Sequence, residues 1–179
     1  MNSLQPSIYL HIPKEQAAFR PGKSCDRQVL ALTTFIESGF QTGLKTFVSF
    51  VDLSAAYDTV WREGLVLKLA NIIPDRTLLN LVYRVYMLNG KSRWRRLNNG
   101  LPHGSVLSLV LYNIYTVDLP STQSKKFLLA DKTLAIQTQS FEAEERMLES
   151  DLNIIDQYYS DWRLEGNPSK TEVAAFHLK

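Results

Sequence analysis

Cysteine is almost missing from the chain: Cys25 stands alone. That excludes an internal disulfide framework and a cysteine zinc site, and it fits a reducing compartment. No apolar run reaches the roughly 20 residues of a membrane-spanning helix. The N-terminus has neither the basic start nor the apolar core of a secretory signal. Internal repeats and low-complexity tracts are missing as well. Net charge is small: 20 Lys and Arg against 18 Asp and Glu leave +2. Composition therefore does not announce a nucleic-acid partner, and any such signal must be local. These absences predict an intracellular protein, cytoplasmic or nuclear, not secreted and without a membrane partner. What is present is 179 residues, 45% of them apolar. That is a globular composition, long enough for one domain with a sizeable core.

The stretch Phe47 to Trp61, FVSFVDLSAAYDTVW, organises the rest. Phe47, Val48, Phe50 and Val51 read as a buried strand. Asp52 sits at its end, where an ionised group out of water is costly without a cation partner. Small residues follow, Ser54, Ala55 and Ala56, and then Tyr57 and Asp58. A carboxylate at the mouth of a buried strand, with an aromatic five residues on, suits a metal ion and a ligand beside the ring. The plainer reading is that Asp52 ends a strand and Asp58 caps the next helix.

Around this stretch the chain reads as follows. Met1 to Lys14 is an irregular arm with Pro6 and Pro13. EQAAFRPGKS carries Arg20 and Lys23, a basic loop before a helix that Ser24 or Asp26 can cap. Val29, Leu32 and Ile36 would line one face of that helix, and Gly39 is placed to end it. Arg62 to Ile72 reads as a second helix with Leu65, Leu69 and Ile72 on one face, broken near Pro74. Asp75 to Met87 is apolar and helical in pattern. Lys91 to Arg96, KSRWRR, places four cations and one indole in six residues. Phosphate neutralisation with aromatic stacking is one account of it, and a solvated strand with Trp94 tucked inward is the other. GLPHGSVLSLVLYN turns tightly at Gly104 and Ser105 into a helix whose exposed N–H groups favour anions. His103 lies in that turn. FLLADKTLAIQ reads as a hairpin with a short acidic turn. Ser140 to Arg163 is an amphipathic helix with Leu148, Leu152, Ile155, Tyr159 and Trp162 on one stripe and Glu142, Glu144 and Glu145 in its first turn. Asn167 to Lys170 leads into a strand over Thr171 to Phe176.

Five of these stretches, in this order, resemble the motifs of reverse transcriptases of the non-LTR retrotransposon type. VDLSAAYDTVW resembles the first palm motif, EQAAFRPGKS the fingers motif, and GLPHGSVLSLVLYN the motif that packs on the nascent base pair. FLLADKTLAIQ resembles the catalytic hairpin and WRLEGNPSKTEVAAF the last palm motif. The likeness runs from about Glu15 to His177. It implies a palm-like α/β (α+β) fold, an antiparallel sheet with helices packed on one face, with partial fingers and no thumb. It divides the chain into an arm and fingers remnant over 1–25 and a palm-like domain over 26–179.

The resemblance also implies the chemistry. Two divalent ions, Mg2+ or Mn2+, would be held by Asp52 and Asp131, converging from neighbouring strands. Hard cations want oxygen ligands, which accounts for the pair of carboxylates. Leu53, Tyr57, Gly104 and Ser105 would bind the nucleotide, with Tyr57 screening its sugar. Lys170 would protonate the leaving pyrophosphate, so Asp52, Asp131 and Lys170 make the catalytic set. Arg20, Lys23, Lys91, Arg93, Arg95, Arg96 and His103 would meet nucleic acid. The partners implied are an RNA template, a DNA primer and deoxynucleotides. The chain departs from the family pattern at several points. Ala18 stands for Gly, His103 for Gln, Leu109 for Pro and Leu129 for an aromatic, and a strand of the middle region is missing. The largest departure is Lys132, where the family has a second aspartate beside Asp131. It implies impaired or lost synthesis, and the alternative it leaves is a non-catalytic nucleic-acid-binding remnant.

Overall fold

Ser24 opens the first helix, α1 (Cys25–Thr42), as its N-cap: the side-chain oxygen accepts the Arg27 N–H. The computed structural model describes residues 11–13, 16–17, 22–73, 79, 99–101, 106–128 and 132–178. Two glycines near the end of α1 do different work. Gly43 ends the helix in the left-handed region, φ 68°, with its N–H returned to the last turn. Gly39, expected to end it, is instead buried inside it. A Cβ there would stand 2.6 Å from Thr46 Oγ1 and 2.7 Å from Gln137 Nε2. The first helix therefore runs one turn further than its sequence pattern suggests, because Gly39 serves close packing on the sheet rather than termination. Val29 is corrected too: it is 55% exposed, while Leu32, Phe35 and Ile36 face the sheet.

Two compact units emerge, and each is described by itself. The larger comprises Lys14–Ser54, Leu119–Asp161 and Glu165–Lys179. Its centre is a four-stranded antiparallel sheet of β1 (Lys45–Val51), β2 (Lys125–Leu128), β3 (Lys132–Thr138) and β4 (Glu172–Phe176), in the order β2-β3-β1-β4. β1 is apolar on both sides, so it takes the middle. Opposite residues share a face. Val48 and Ala135 face α1, together with Phe127. Phe47, one residue along, faces the other way and meets Phe141 of the long helix that follows β3, with ring centroids 5.5 Å apart. The antiparallel sheet is as expected. Its helices cover both faces rather than one, because both rows of β1 are apolar and each needs a partner.

That long helix, α4 (Phe141–Asp161), buries Leu148, Ile155 and Tyr159 as its stripe predicts. It also buries two carboxylates. Asp151 accepts the Gln123 N–H at 3.0 Å and the Ser124 N–H at 2.7 Å, fixing the approach to β2. Glu144 accepts the Thr138 N–H at 2.9 Å, fixing the exit from β3. At the outer side of β2, Gln16 adds a parallel bridge to Leu128. The hairpin β2–β3 and strand β4 are those expected, within a residue or two.

The smaller unit comprises Met1–Pro13, Ala55–Asp118 and Trp162–Leu164. It contains α2 (Arg62–Ile72) and α3 (Val106–Tyr115), which pack on each other. Leu65, Leu69 and Ile72 of α2 are buried, as their spacing predicts. Lys68 is buried as well. Its ammonium bonds the Tyr115 carbonyl at 2.6 Å, pairs with Asp118 and lies 3.4 Å from the centroid of the Trp162 ring. The helical pattern over 75–87 lies outside the described residues apart from Leu79. No helix among the described residues is long and apolar enough to cross a membrane.

Candidate functional site

Asp52 follows the last residue of β1, and its segment continues into a short antiparallel ladder. The Ser54 N–H donates to the Glu165 carbonyl at 2.8 Å, Leu53 bridges Gly166, and the Asn167 N–H donates to the Asp52 carbonyl at 2.9 Å. The side chains of that last pair meet as well: Asn167 Nδ2 donates to Asp52 Oδ2 at 3.1 Å. Asp52 is therefore held by main chain and side chain together, half-buried rather than sealed.

The residues after Asn167 form a tight turn. The Asn167 carbonyl accepts the Lys170 N–H at 3.1 Å, the Thr171 N–H at 3.0 Å and the Thr171 hydroxyl at 2.9 Å. Ser169 Oγ donates to Asn167 Oδ1 at 2.7 Å. Lys170 rides on this turn with an exposed side chain. An Asn-Pro step marks a turn in any sequence, and that much was legible. That its amide meets a carboxylate at the end of β1 carried no local signal.

On the next strand, Lys132 pairs across from Val51 and from Leu128. It shares the face of Val51, is 6% exposed, and its ammonium stands 4.6 Å from the centroid of the Tyr159 ring. A cavity of about 180 Å3 lies on the same face, lined by Val51, Ile155, Tyr159, Asn167, Pro168 and Thr171.

In the smaller unit, Tyr57 is clamped on both its groups. The Leu101 N–H donates to its carbonyl at 2.8 Å, and its ring meets Tyr112 of α3 with centroids 5.0 Å apart. Burial pushes its phenol pKa up. Gly100 passes so close to the Asp58 backbone, at φ 90°, that a Cβ would stand 3.1 Å from the Asp58 carbonyl. Asp58 itself is exposed, and it does not cap α2: Trp61 is the N-cap and makes no side-chain cap bond.

Lys23 is exposed just ahead of α1. Arg20, Lys91, Arg93, Arg95, Arg96, His103, Gly104, Ser105 and Asp131 lie outside the described residues. Among the described residues no three His, Cys, Asp or Glu side chains group to hold a metal.

Comparison with known proteins follows the same lines. A family described as reverse transcriptase (RNA-dependent DNA polymerase) matches residues 1–177. The chain is 31% identical to the probable RNA-directed DNA polymerase from transposon BS of Drosophila melanogaster, over 94% of this chain and 20% of that protein. It is 24% identical to the RNA-directed DNA polymerase from mobile element jockey of Drosophila melanogaster, over 92% of this chain and 20% of that one. The chain thus spans about a fifth of the length of these relatives. Among solved structures, an apo telomerase from Candida tropicalis, truncated from its C-terminal domain, superposes with a TM-score of 0.64 at 12% identity. It covers 99% of this chain and 40% of that one. At that identity the likeness speaks for the fold alone: helices on an antiparallel sheet, as in a polymerase palm.

Proposed function

Because the chain belongs to the reverse transcriptase (RNA-dependent DNA polymerase) family, in its non-LTR retrotransposon branch, we propose that it forms the palm of an RNA-directed DNA polymerase. Asp52 and Asp131 are assigned to hold Mg2+ or Mn2+. The observation that carries this reading is the cross-strand pair Val51–Lys132. Asp52 follows the first of these residues in the chain, and Asp131 precedes the second. The donor set also fits a hard cation: Asp52 offers carboxylate oxygen and Leu53 a carbonyl beside it. When bound, such ions activate a primer hydroxyl and steady the triphosphate charge.

The chain's own residues supply the rest. Tyr57 walls the sugar, its ring braced by Tyr112. Gly104 and Ser105 offer N–H groups to phosphate. Lys170 gives its proton to the departing pyrophosphate. Arg20, Lys23, Lys91, Arg93, Arg95, Arg96 and His103 hold the RNA template and its primer through backbone phosphates.

Lys132 sets the level of activity. Losing one preorganised charge from such a site costs on the order of a hundredfold or more in rate. Synthesis is accordingly weak, and the same substitution favours a second reading, in which the domain binds nucleic acid without copying it. Primer extension on a homopolymer RNA template, with Mg2+ and then Mn2+, tests this. Metal-dependent extension that disappears in Asp52→Ala supports the polymerase. Salt-dependent RNA binding with no extension above Asp52→Ala leaves only the binding domain.

A further inference from the structure

We propose that Asn167 is a positioning residue for Asp52, and that Ser169 fixes which way its amide points. The proposal rests on the reading of Asp52 as a metal ligand and adds the part that aims it.

An asparagine amide has one accepting end and one donating end. A carboxylate oxygen accepts only, so the donating Nδ2 must face Asp52 Oδ2, and these atoms are 3.1 Å apart. If the amide were reversed, two acceptors would face each other. Ser169 opposes that reversal from the other end, because its hydroxyl donates to Oδ1 at 2.7 Å. The backbone is tied independently. The Asn167 N–H is held on the Asp52 carbonyl, and the Asn167 carbonyl is held by Lys170 and Thr171. The side chain therefore has a fixed base, a fixed sense and one target. The relay runs Ser169 Oγ–H to Asn167 Oδ1, then Asn167 Nδ2–H to Asp52 Oδ2. With Oδ2 engaged, Oδ1 is the oxygen that a cation meets. The same residue also fixes the turn that carries Lys170, so one asparagine sets both the carboxylate and the amine of the proposed chemistry.

The probe is Mn2+, read from the electron-spin-resonance signal of the free ion against the full chain. Outer-shell partners of metal ligands typically contribute about 10–100-fold in affinity. Asn167→Leu is expected to weaken Mn2+ binding by that factor. Ser169→Ala should weaken it less, and Ser169→Thr, which keeps the hydroxyl, should restore it. That rescue separates an orienting role from a merely structural one. Unchanged affinity in Asn167→Leu, or Ser169→Thr as weak as Ser169→Ala, overturns the proposal. If Asn167→Leu does not fold, the Ser169 pair decides, because that side chain is exposed. A metal-free measurement separates the two readings. The side-chain amide NMR signal of Asn167 should shift in Asp52→Ala and in Ser169→Ala. Failure of the natural chain to take up Mn2+ would sink the metal assignment of Asp52, and the relay would still be judged by that shift. No shift in either variant overturns the relay.

Discussion

The Lys132 ammonium stands over the ring of Tyr159, 4.6 Å from its centroid, on the sheet face that carries α4. The motif resemblance implies a second carboxylate at this position; the chain has a cation there, and the fold gives it an aromatic surface. Such an interaction contributes about 0.5–2 kcal/mol, more when desolvated. The hydrocarbon stem is buried with it.

Lys132→Asp is therefore expected to act in two directions. It removes a positive charge and adds an oxygen donor, so Mg2+ affinity measured by calorimetry should rise. It also gives up the attraction to the Tyr159 ring and buries a carboxylate, so stability in urea should fall by roughly 1–3 kcal/mol. Unchanged Mg2+ affinity would show that Lys132 is not the lesion.

Glu144 predicts an acid-range effect. Burial pushes its carboxyl pKa up, and the Thr138 N–H and the Lys45 charge only partly oppose this. The folded state then holds a proton that the unfolded chain releases. Stability falls as pH rises from the ordinary 4.5 through the raised value. Glu144→Gln keeps the acceptor for Thr138 and has nothing to ionise. Its melting temperature should match the natural chain near pH 4 and exceed it at neutral pH by roughly 2–4 °C, the equivalent of about 1 kcal/mol. Parallel melting curves across this range would refute the assignment.

Lys68 predicts the opposite slope at alkaline pH. Desolvation lowers its pKa, and the bond and charge of Asp118 recover only part. The unfolded chain keeps that proton longer, so unfolding takes protons up and stability rises with pH toward 10.5. Tyr57 and Tyr115, with raised values, act in reverse above 10.0. Lys68→Met should flatten the rise below 10.5 and leave the tyrosine fall in place. Lys68→Met also gives up the ammonium's bond to the Tyr115 carbonyl and its place over the Trp162 ring, so stability at neutral pH should fall by about 1–3 kcal/mol. A slope that survives in Lys68→Met would assign the rise to another group.

The basic cluster gives a binding prediction. Replacing Arg93, Arg95 and Arg96 with Ala should weaken RNA binding and reduce its salt slope by about 0.7 for each single-strand phosphate no longer neutralised. Titration at several salt concentrations measures it. An unchanged slope returns KSRWRR to a solvated strand.

What could be read in the sequence was mostly local. The apolar run before Asp52, the spacing of Leu65, Leu69 and Ile72, and the stripe of the long helix each carry their period within one element. Pairings between distant segments were legible only through the ordered resemblance of motifs, since no local pattern ties residue 52 to residue 167. Gly39 was misread because a glycine that ends a helix and one that lets a helix approach a sheet look alike in the chain. The two faces of the sheet were merged for a similar reason: Val48 and Phe47 are both apolar, and only the helix on each side tells them apart. Lys68 gave no warning, because a buried lysine depends on Tyr115, Asp118 and Trp162 arriving from elsewhere.

The strand order has a consequence for how the protein is made. β1 is one of the two inner strands and the earliest of the four to leave the ribosome, but its neighbours are β3 and β4, which lie some 80 residues or more beyond it. Until those are synthesised, an apolar strand has both edges unpaired, the condition that invites pairing with other chains. Pairing across such long spans is slower than forming local helical contacts, because the loop-closure entropy comes first. α1 precedes β1 in the chain, so it is already made during that interval, and Gly39 is the residue at which this helix can approach Thr46 closely.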